Sequence, residues 1–130
     1  MIYGIGTDIV RIDRLRQALT RHGERFACRI LAETERGDWR NSPDPARFLA
    51  KRFAAKEAFG KALGIGVAAP ATLHAICIGH DAAGKPLFAY APELAEYMRA
   101  RKLAAHLSLS DETDHVVAFA LIEVHLPESG

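Results

Sequence analysis

The sequence predicts an α+β fold in which a mainly antiparallel sheet packs against a long central helix and shorter helices. Three observations lead to this prediction. Residues 47–66 show helical spacing and a high alanine content. Residues 1–10 and 105–110 alternate in polarity as strands do. A tight turn at 111–114 leads into the apolar segment 116–124, as in an antiparallel pair.

Length, charge and cysteine content exclude several classes of protein. With 130 residues, the chain suits one domain, residues 1–130, and its net charge of +1 does not indicate a nucleic-acid partner. Cys28 and Cys77 fit neither a zinc-binding spacing nor a disulfide framework. No stretch has the hydrophobic pattern of a signal peptide or of a membrane-spanning helix. We therefore expect a cytoplasmic protein with no membrane partner.

The first predicted strand, residues 1–10, carries an unusual face. Gly4, Gly6, Asp8 and Val10 fall on one side of it. The glycines favour either of two interpretations. They clear space for a ligand beside the Asp8 carboxylate, or they mark a bulge and Asp8 caps the next turn.

Helices are predicted to follow this strand. Asp13 is a candidate cap for a helix that reaches His22, a short helix covers residues 24–31, and Thr34 is a candidate cap for a third. Between residues 11 and 29, six arginines face only two acidic residues. This excess indicates either an acidic partner for the first helix or a solvated helix face.

The central helix is expected to follow a loop at residues 37–45. Asp44 is its predicted cap, Pro45 suits its first turn, and Gly64 with Gly66 ends it. Its charged residues do not share one solvent-exposed side of the helix, because apolar residues lie on both sides of them. Such a helix either contains buried ion pairs or binds a charged ligand.

The second half of the chain is expected to be richer in strands. The pattern predicts a hairpin of strands 73–79 and 87–90 around the turn 80–86, and a helix that begins at Pro92. The apolar strand 116–124 is expected at the centre of a covered sheet or at a subunit contact. Residues 127–130 are expected to form a polar tail.

Two carboxylates are candidate ligands of a metal ion. If the first strand lies against the central helix, Asp8 and Glu57 can share one Mg²⁺, which takes one or two carboxylates along with water and phosphate oxygens. Basic side chains of the same helix, Arg52, Lys56 and Lys61, would neutralise phosphate. The spacing of Glu57 and Lys61 is equally that of an ordinary helical salt bridge.

Five motifs resemble those of the holo-acyl-carrier-protein synthases, the small bacterial class of 4′-phosphopantetheinyl transferases. They are GIGTDIV at 4–10, RIL at 29–31, FLAKRFAAKEAFGKALG at 48–64, GKP at 84–86 and LSLSDE at 107–112. Residues 64–67 read GIGV where the family usually has GTGI, which bears on coenzyme A affinity rather than on the reaction type.

The resemblance implies roles for named residues. Asp8 and Glu57 would bind Mg²⁺, with Glu57 also accepting a proton and Lys61 assisting catalysis. The implied coenzyme A contacts are Arg52, Lys61, Gly64, Lys85 and His106. The implied contact with the acyl carrier protein is Arg14, and Arg21, seven residues further along the same helix face, is predicted to contact it as well.

The resemblance also implies an activity and an assembly. The chain would transfer 4′-phosphopantetheine from coenzyme A to a serine of apo acyl carrier protein, for fatty acid biosynthesis. It would form a homotrimer with active sites between subunits. The alternative is a non-catalytic module that binds an acidic protein through its basic first helix.

Overall fold

The structure is a computed structural model that describes residues 1–125. Its elements follow one another as β1 (Ile2–Arg11), α1 (Ile12–His22), α2 (Glu24–Ile30), α3 (Glu33–Arg40), α4 (Pro45–Leu63), β2 (Ile76–His80), β3 (Pro86–Tyr90), α5 (Pro92–Ala100), β4 (Leu103–Asp111) and β5 (His115–Val124). The polar tail predicted at residues 127–130 lies outside the described residues.

The strands form two antiparallel sheets. A three-stranded sheet has the order β1-β5-β4, and β2 pairs with β3 in a separate hairpin. Helix α4 packs along one face of the larger sheet, where Val116, Ala118, Ala120 and Ile122 of β5 are completely buried. The predicted α+β class is confirmed, with the long helix at its centre.

Helix α4 begins and ends as the sequence predicts. The Asp44 carboxylate accepts a hydrogen bond from the Arg47 backbone N–H at 3.2 Å, and Pro45 occupies the first turn. Gly64 ends the helix in the left-handed region at φ 90°, a conformation that glycine adopts without steric cost.

The glycines of β1 allow α4 to lie directly on the strand. A Cβ atom at Gly4 would lie 2.0 Å from the Ala62 carbonyl oxygen, and one at Gly6 would lie 2.1 Å from that of Ala58. The backbone of α4, rather than a ligand, thus fills the cleared space. The pairing of β1 with β5 also shifts register between Ile2 and Gly4, so a strand irregularity is present as well.

Three expectations about helix boundaries are wrong. Asp13 lies inside α1, which begins at Ile12 because the Ile12 N–H bonds to the Asp114 carbonyl at 2.9 Å. Helix α3 begins after Ala32, whose N–H bonds to the Glu35 carboxylate at 2.9 Å, so Thr34 is not its cap. The same helix continues through Gly37 to Arg40, where a loop was expected.

The first strand of the hairpin starts later than predicted. β2 begins at Ile76 rather than at residue 73, because the N–H groups of Ala75 and Ile76 bond back to the Thr72 carbonyl in a turn. The helix α5 begins at Pro92 as expected. Among residues 1–125, no helix combines the length and apolar character that a bilayer span requires.

One face of the larger sheet is not covered by any other part of the described chain. Its apolar side chains include Tyr3, Ile5, Ile9 and Phe119, which are between 39% and 65% exposed. Strand β5 therefore lies at the centre of its sheet, with only one of its two faces buried.

Buried ion pairs account for two of the charges on α4. The Lys56 ammonium lies 2.6 Å from Glu35 Oε1, and Arg52 Nε lies 3.6 Å from Glu35 Oε2. Arg52 also donates to the Ile78 carbonyl at 3.0 Å, and Glu35 accepts from the Ile78 N–H. This buried ion cluster of Glu35, Arg52 and Lys56 connects α3, α4 and β2.

Candidate functional site

Asp8 and Glu57 line one cavity, with a volume of about 530 Å³, between β1, α1, α2 and α4. The two side chains meet because Asp8 shares the α4-facing side of β1 with the two glycines. Much of the remaining wall is apolar and includes Phe26, Phe53 and Leu73. The cavity therefore places two carboxylates at the border of an apolar chamber.

The electrostatics of this cavity show that the carboxylates are close enough to interact. Partial burial, and secondly the negative charge of Asp8, raise the pKa of Glu57, while the Lys61 ammonium opposes the shift. A divalent cation held by the Asp8 and Glu57 carboxylates would neutralise this repulsion.

Lys61 contacts the strand rather than the neighbouring turn of its own helix. Its ammonium donates to Asp8 Oδ1 at 3.1 Å and to the Thr7 carbonyl at 2.9 Å. The ordinary salt bridge with Glu57 that its spacing permits is absent from the ion pairs of residues 1–125. Lys61 therefore adds a half-exposed positive charge to the Asp8 end of the cavity.

The donor set fits a hard divalent cation that shares its coordination with a ligand. Within residues 1–125, no three His, Cys, Asp or Glu side chains lie close enough to form a complete protein cage. Mg²⁺ is commonly held by one or two carboxylates while water and phosphate oxygens supply the remaining ligands. Asp8 and Glu57, with their mutual repulsion, meet that requirement.

Basic residues surround the side of the cavity formed by α1 and α2. Arg14 and Arg29 line it, and Arg29 is shared with a neighbouring pocket of about 410 Å³ that also contains Arg21, His22 and Arg25. The structure thus arranges the arginine-rich segment as one basic surface that leads to the carboxylates. Such a surface attracts acidic partners.

Besides Arg21 and Lys61, four predicted site residues do not line this cavity. Arg52 belongs to the buried ion cluster and is only 7% exposed. Gly64 follows the end of α4, and Lys85 lies exposed before β3. His106 lies beside Leu121 on the uncovered sheet face, where its Nε2 is 2.8 Å from Glu123 Oε1. That hydrogen bond lowers the pKa of Glu123.

Sequence reasoning missed Glu35 and gave no individual role to Phe26 and Arg29. Glu35 contacts Lys56 and Ile78, which are 21 and 43 residues away, so no local spacing marks it. Phe26 and Arg29 are three residues apart on α2, a spacing that places them on one helix face. Their spacing in the sequence was therefore the sign that the two side chains lie on one surface.

Comparison with known proteins assigns the chain to a family. A model described as the 4′-phosphopantetheinyl transferase superfamily matches residues 4–120, which include most of β1, all of α4 and both candidate carboxylates. The chain belongs to this superfamily. Its relatives include proteins named holo-[acyl-carrier-protein] synthase from Azoarcus sp. (strain BH72) and Aromatoleum aromaticum. They are 71% and 67% identical over 95% of this chain and 98% of each relative.

Solved structures of the superfamily share the fold. A holo-[acyl-carrier-protein] synthase from Neisseria meningitidis is 46% identical with a TM-score of 0.91, and the match covers 95% of this chain and 99% of that one. A Bacillus anthracis synthase in complex with CoA (3′,5′-ADP) is 32% identical with a TM-score of 0.81, covering 96% and 99%. The resemblance stated from the five motifs is confirmed.

Proposed function

We propose that this transferase moves 4′-phosphopantetheine from coenzyme A to a serine hydroxyl of apo acyl carrier protein and releases adenosine 3′,5′-bisphosphate. The observation that carries the proposal is the single cavity that contains Asp8, Glu57 and Arg14, with Lys61 bonded to Asp8. The names of the relatives support the same reaction. One domain, residues 1–130, would perform it as part of fatty acid biosynthesis.

The reaction requires the serine oxygen to attack the phosphorus that carries the pantetheine arm, while the bond to the leaving phosphate breaks. Glu57, which lines the cavity beside Asp8, would accept the serine proton. Lys61 stabilises negative charge on the phosphates. Asp8 and Glu57 would hold Mg²⁺, which when bound polarises the diphosphate and neutralises charge on the leaving group.

The acyl carrier protein would dock on the basic surface of α1 and α2. Arg14 borders the cavity, and Arg21 lies on the adjoining pocket, so an acidic carrier would contact both while its serine faces Glu57. Reversal of charge at Arg21 should weaken carrier binding and leave coenzyme A binding unchanged.

A homotrimer would complete the coenzyme A site. The exposed apolar face with Ile5, Ile9 and Phe119 supports burial against further copies of the chain, because monomeric proteins rarely leave such patches uncovered. His106 belongs to the same face, so assembly would bring it to a neighbouring copy's cavity. Gly64 and Lys85 are proposed as further coenzyme A contacts, together with Arg52, which borders a separate pocket of about 220 Å³ while paired with Glu35.

A cytoplasmic location is proposed as well. Cys28 and Cys77 are both free thiols, as is typical of a reducing compartment. Coenzyme A and carrier protein would be available there.

Transfer is tested by incubation of the chain with coenzyme A, Mg²⁺ and an apo acyl carrier protein, followed by measurement of the carrier's mass. The carrier should gain one phosphopantetheine, and removal of Mg²⁺ with a chelator should abolish the gain. Asp8→Ala and Glu57→Ala should each abolish it in folded protein. An unmodified carrier that still binds the chain would favour the alternative, a non-catalytic module that recognises acidic proteins.

A further inference from the structure

The Lys56 side chain is completely buried, although the proposed transfer reaction assigns it no part. Its ammonium donates three hydrogen bonds: to Glu35 Oε1 at 2.6 Å, to the Ile30 carbonyl at 2.7 Å and to the Leu73 carbonyl at 2.8 Å. An ammonium group has three donors, so its capacity is used in full.

The two carbonyls belong to parts of the chain that form walls of the Asp8–Glu57 cavity. Ile30 is the last residue of α2, and Leu73 lies in the connection between α4 and β2. The side chains of both residues line the cavity. Lys56 therefore joins three separate segments, α2, α4 and the connection before β2, around one chamber.

Stability alone is a poor reason for a lysine at this position. Burial lowers the pKa of Lys56, which shows that the charged form loses hydration there, although Glu35 opposes the shift. An apolar residue of similar volume, introduced together with one at the partner carboxylate, often replaces a buried ion pair without loss of stability. Such a residue could not fix two carbonyl oxygens at hydrogen-bonding distance.

We propose that Lys56 is a positioning residue that holds the carrier-facing wall of the cavity in place relative to Glu57. Through the Ile30 carbonyl it fixes the end of α2, the helix that presents Phe26 and Arg29 to the cavity. Through the Leu73 carbonyl it fixes the opposite segment. This inference rests on the proposed transfer reaction and concerns the fit of the acidic carrier.

The proposal predicts different effects of a change at Lys56 on the two substrates, the carrier protein and coenzyme A. Asp8, Glu57 and Lys61, which would hold the metal and the diphosphate, lie on β1 and α4, and Lys61 contacts β1 directly. None of these three is bonded to Lys56. A change at Lys56 should therefore alter recognition of the carrier and spare recognition of coenzyme A.

The test is Lys56→Met, which keeps an unbranched side chain and removes the ammonium. The dissociation constant of the apo carrier, measured by calorimetry without coenzyme A, should rise about tenfold, which corresponds to about 1.4 kcal/mol of lost binding free energy. In the transfer assay, the KM for the carrier should rise similarly, with kcat per folded molecule and the KM for coenzyme A within about twofold of wild type. Lys51→Met, on another side of α4, is the matched control and should change none of these values.

The outcomes are distinct. If Lys56 only supports folding, the variant will lose kcat in proportion to its unfolded fraction and keep both the carrier KM and dissociation constant, which overturns the proposal. If Lys56→Met does not fold by circular dichroism, Glu35→Gln decides, with at least a threefold rise in the carrier dissociation constant expected and no change overturning the proposal. If the wild-type chain binds the carrier without transferring to it, the proposed function fails, whereas the calorimetric comparison still tests Lys56.

Discussion

Gly6→Ala tests whether the contact between β1 and α4 sets the geometry of the site. The added Cβ atom would lie 2.1 Å from the Ala58 carbonyl oxygen, 2.7 Å from the Ala62 nitrogen and 2.8 Å from Lys61 Cβ. Ordinary contact begins at 3.4 Å, so strand and helix must separate by about 1.3 Å, the difference between 3.4 and 2.1 Å. Two of the three obstructing atoms are backbone atoms, which cannot rotate away.

The separation should lower both stability and activity. Overpacking typically costs about 1–3 kcal/mol, and we expect about 3 kcal/mol because rigid backbone receives the clash. For a chain of 130 residues, this corresponds to a fall in Tm on the order of 10 °C. Asp8 follows Gly6 by two residues, so its distance from Glu57 changes as well, and a shift near 1 Å reduces transfer by about 100-fold.

Urea denaturation at fixed protein concentration measures the loss of stability in Gly6→Ala. The transfer rate per folded molecule measures the loss of activity. Gly79→Ala is the control, because a Cβ atom there meets nothing within 4 Å. It should stay within about 0.5 kcal/mol of wild type. A Gly6→Ala protein with the denaturation midpoint and rate of the wild type would refute the reasoning.

Three further predictions concern stability. Gly37→Ala should stabilise the protein by about 0.5–1 kcal/mol in urea, since Gly37 lies inside α3 with free space around it; a loss of stability would contradict this. Asp44→Ala should cost about 1–2 kcal/mol through the lost cap and the lost contact with Arg47, whereas an unchanged midpoint would show that the cap is not used. Burial raises the pKa of Tyr90 to about 12, so its neutral form stabilises the fold fully below pH 10, and this contribution is lost as the pH rises from 10 to 12. Absorbance titration against Tyr90→Phe checks this, and phenolate from Tyr90 in folded protein at pH 10 would disprove it.

Local signals in the sequence were sufficient where a structural feature depends on neighbouring residues. The ends of α4 follow from Asp44, Pro45 and Gly64, each of which acts within one turn of the helix. The start of α1 could not be found this way, because the Asp114 carbonyl that receives the Ile12 N–H is about a hundred positions away in the sequence. Asp13 looked like a cap only because the local sequence does not reveal the bond between Ile12 and Asp114.

In the candidate site, too, the features that depend on local spacing were predictable and those that depend on packing between distant segments were not. The alternation of β1 placed Asp8 on the glycine face, and the spacing of α4 placed Glu57 near Lys61. Whether Lys61 would bond to Glu57 or to Asp8 depended on the distance between strand and helix, which only the glycine packing determines. The two interpretations of the charges on α4, buried ion pairs or a charged ligand, apply to different residues: the ion pairs hold Arg52 and Lys56, and the cavity remains for Glu57.

The buried ion cluster has an electrical consequence. It holds two cations, Arg52 and Lys56, against the single carboxylate of Glu35, so the interior beside α4 carries a surplus positive charge. Carbonyl dipoles, including that of Ile78, and the ring of Phe48 at 4.5 Å from the Arg52 guanidinium carbon offset it, together with the more distant charge of Asp38. Salt screens buried charges far less than exposed ones. The cluster should therefore hold α3, α4 and β2 together about equally well at low and at physiological salt.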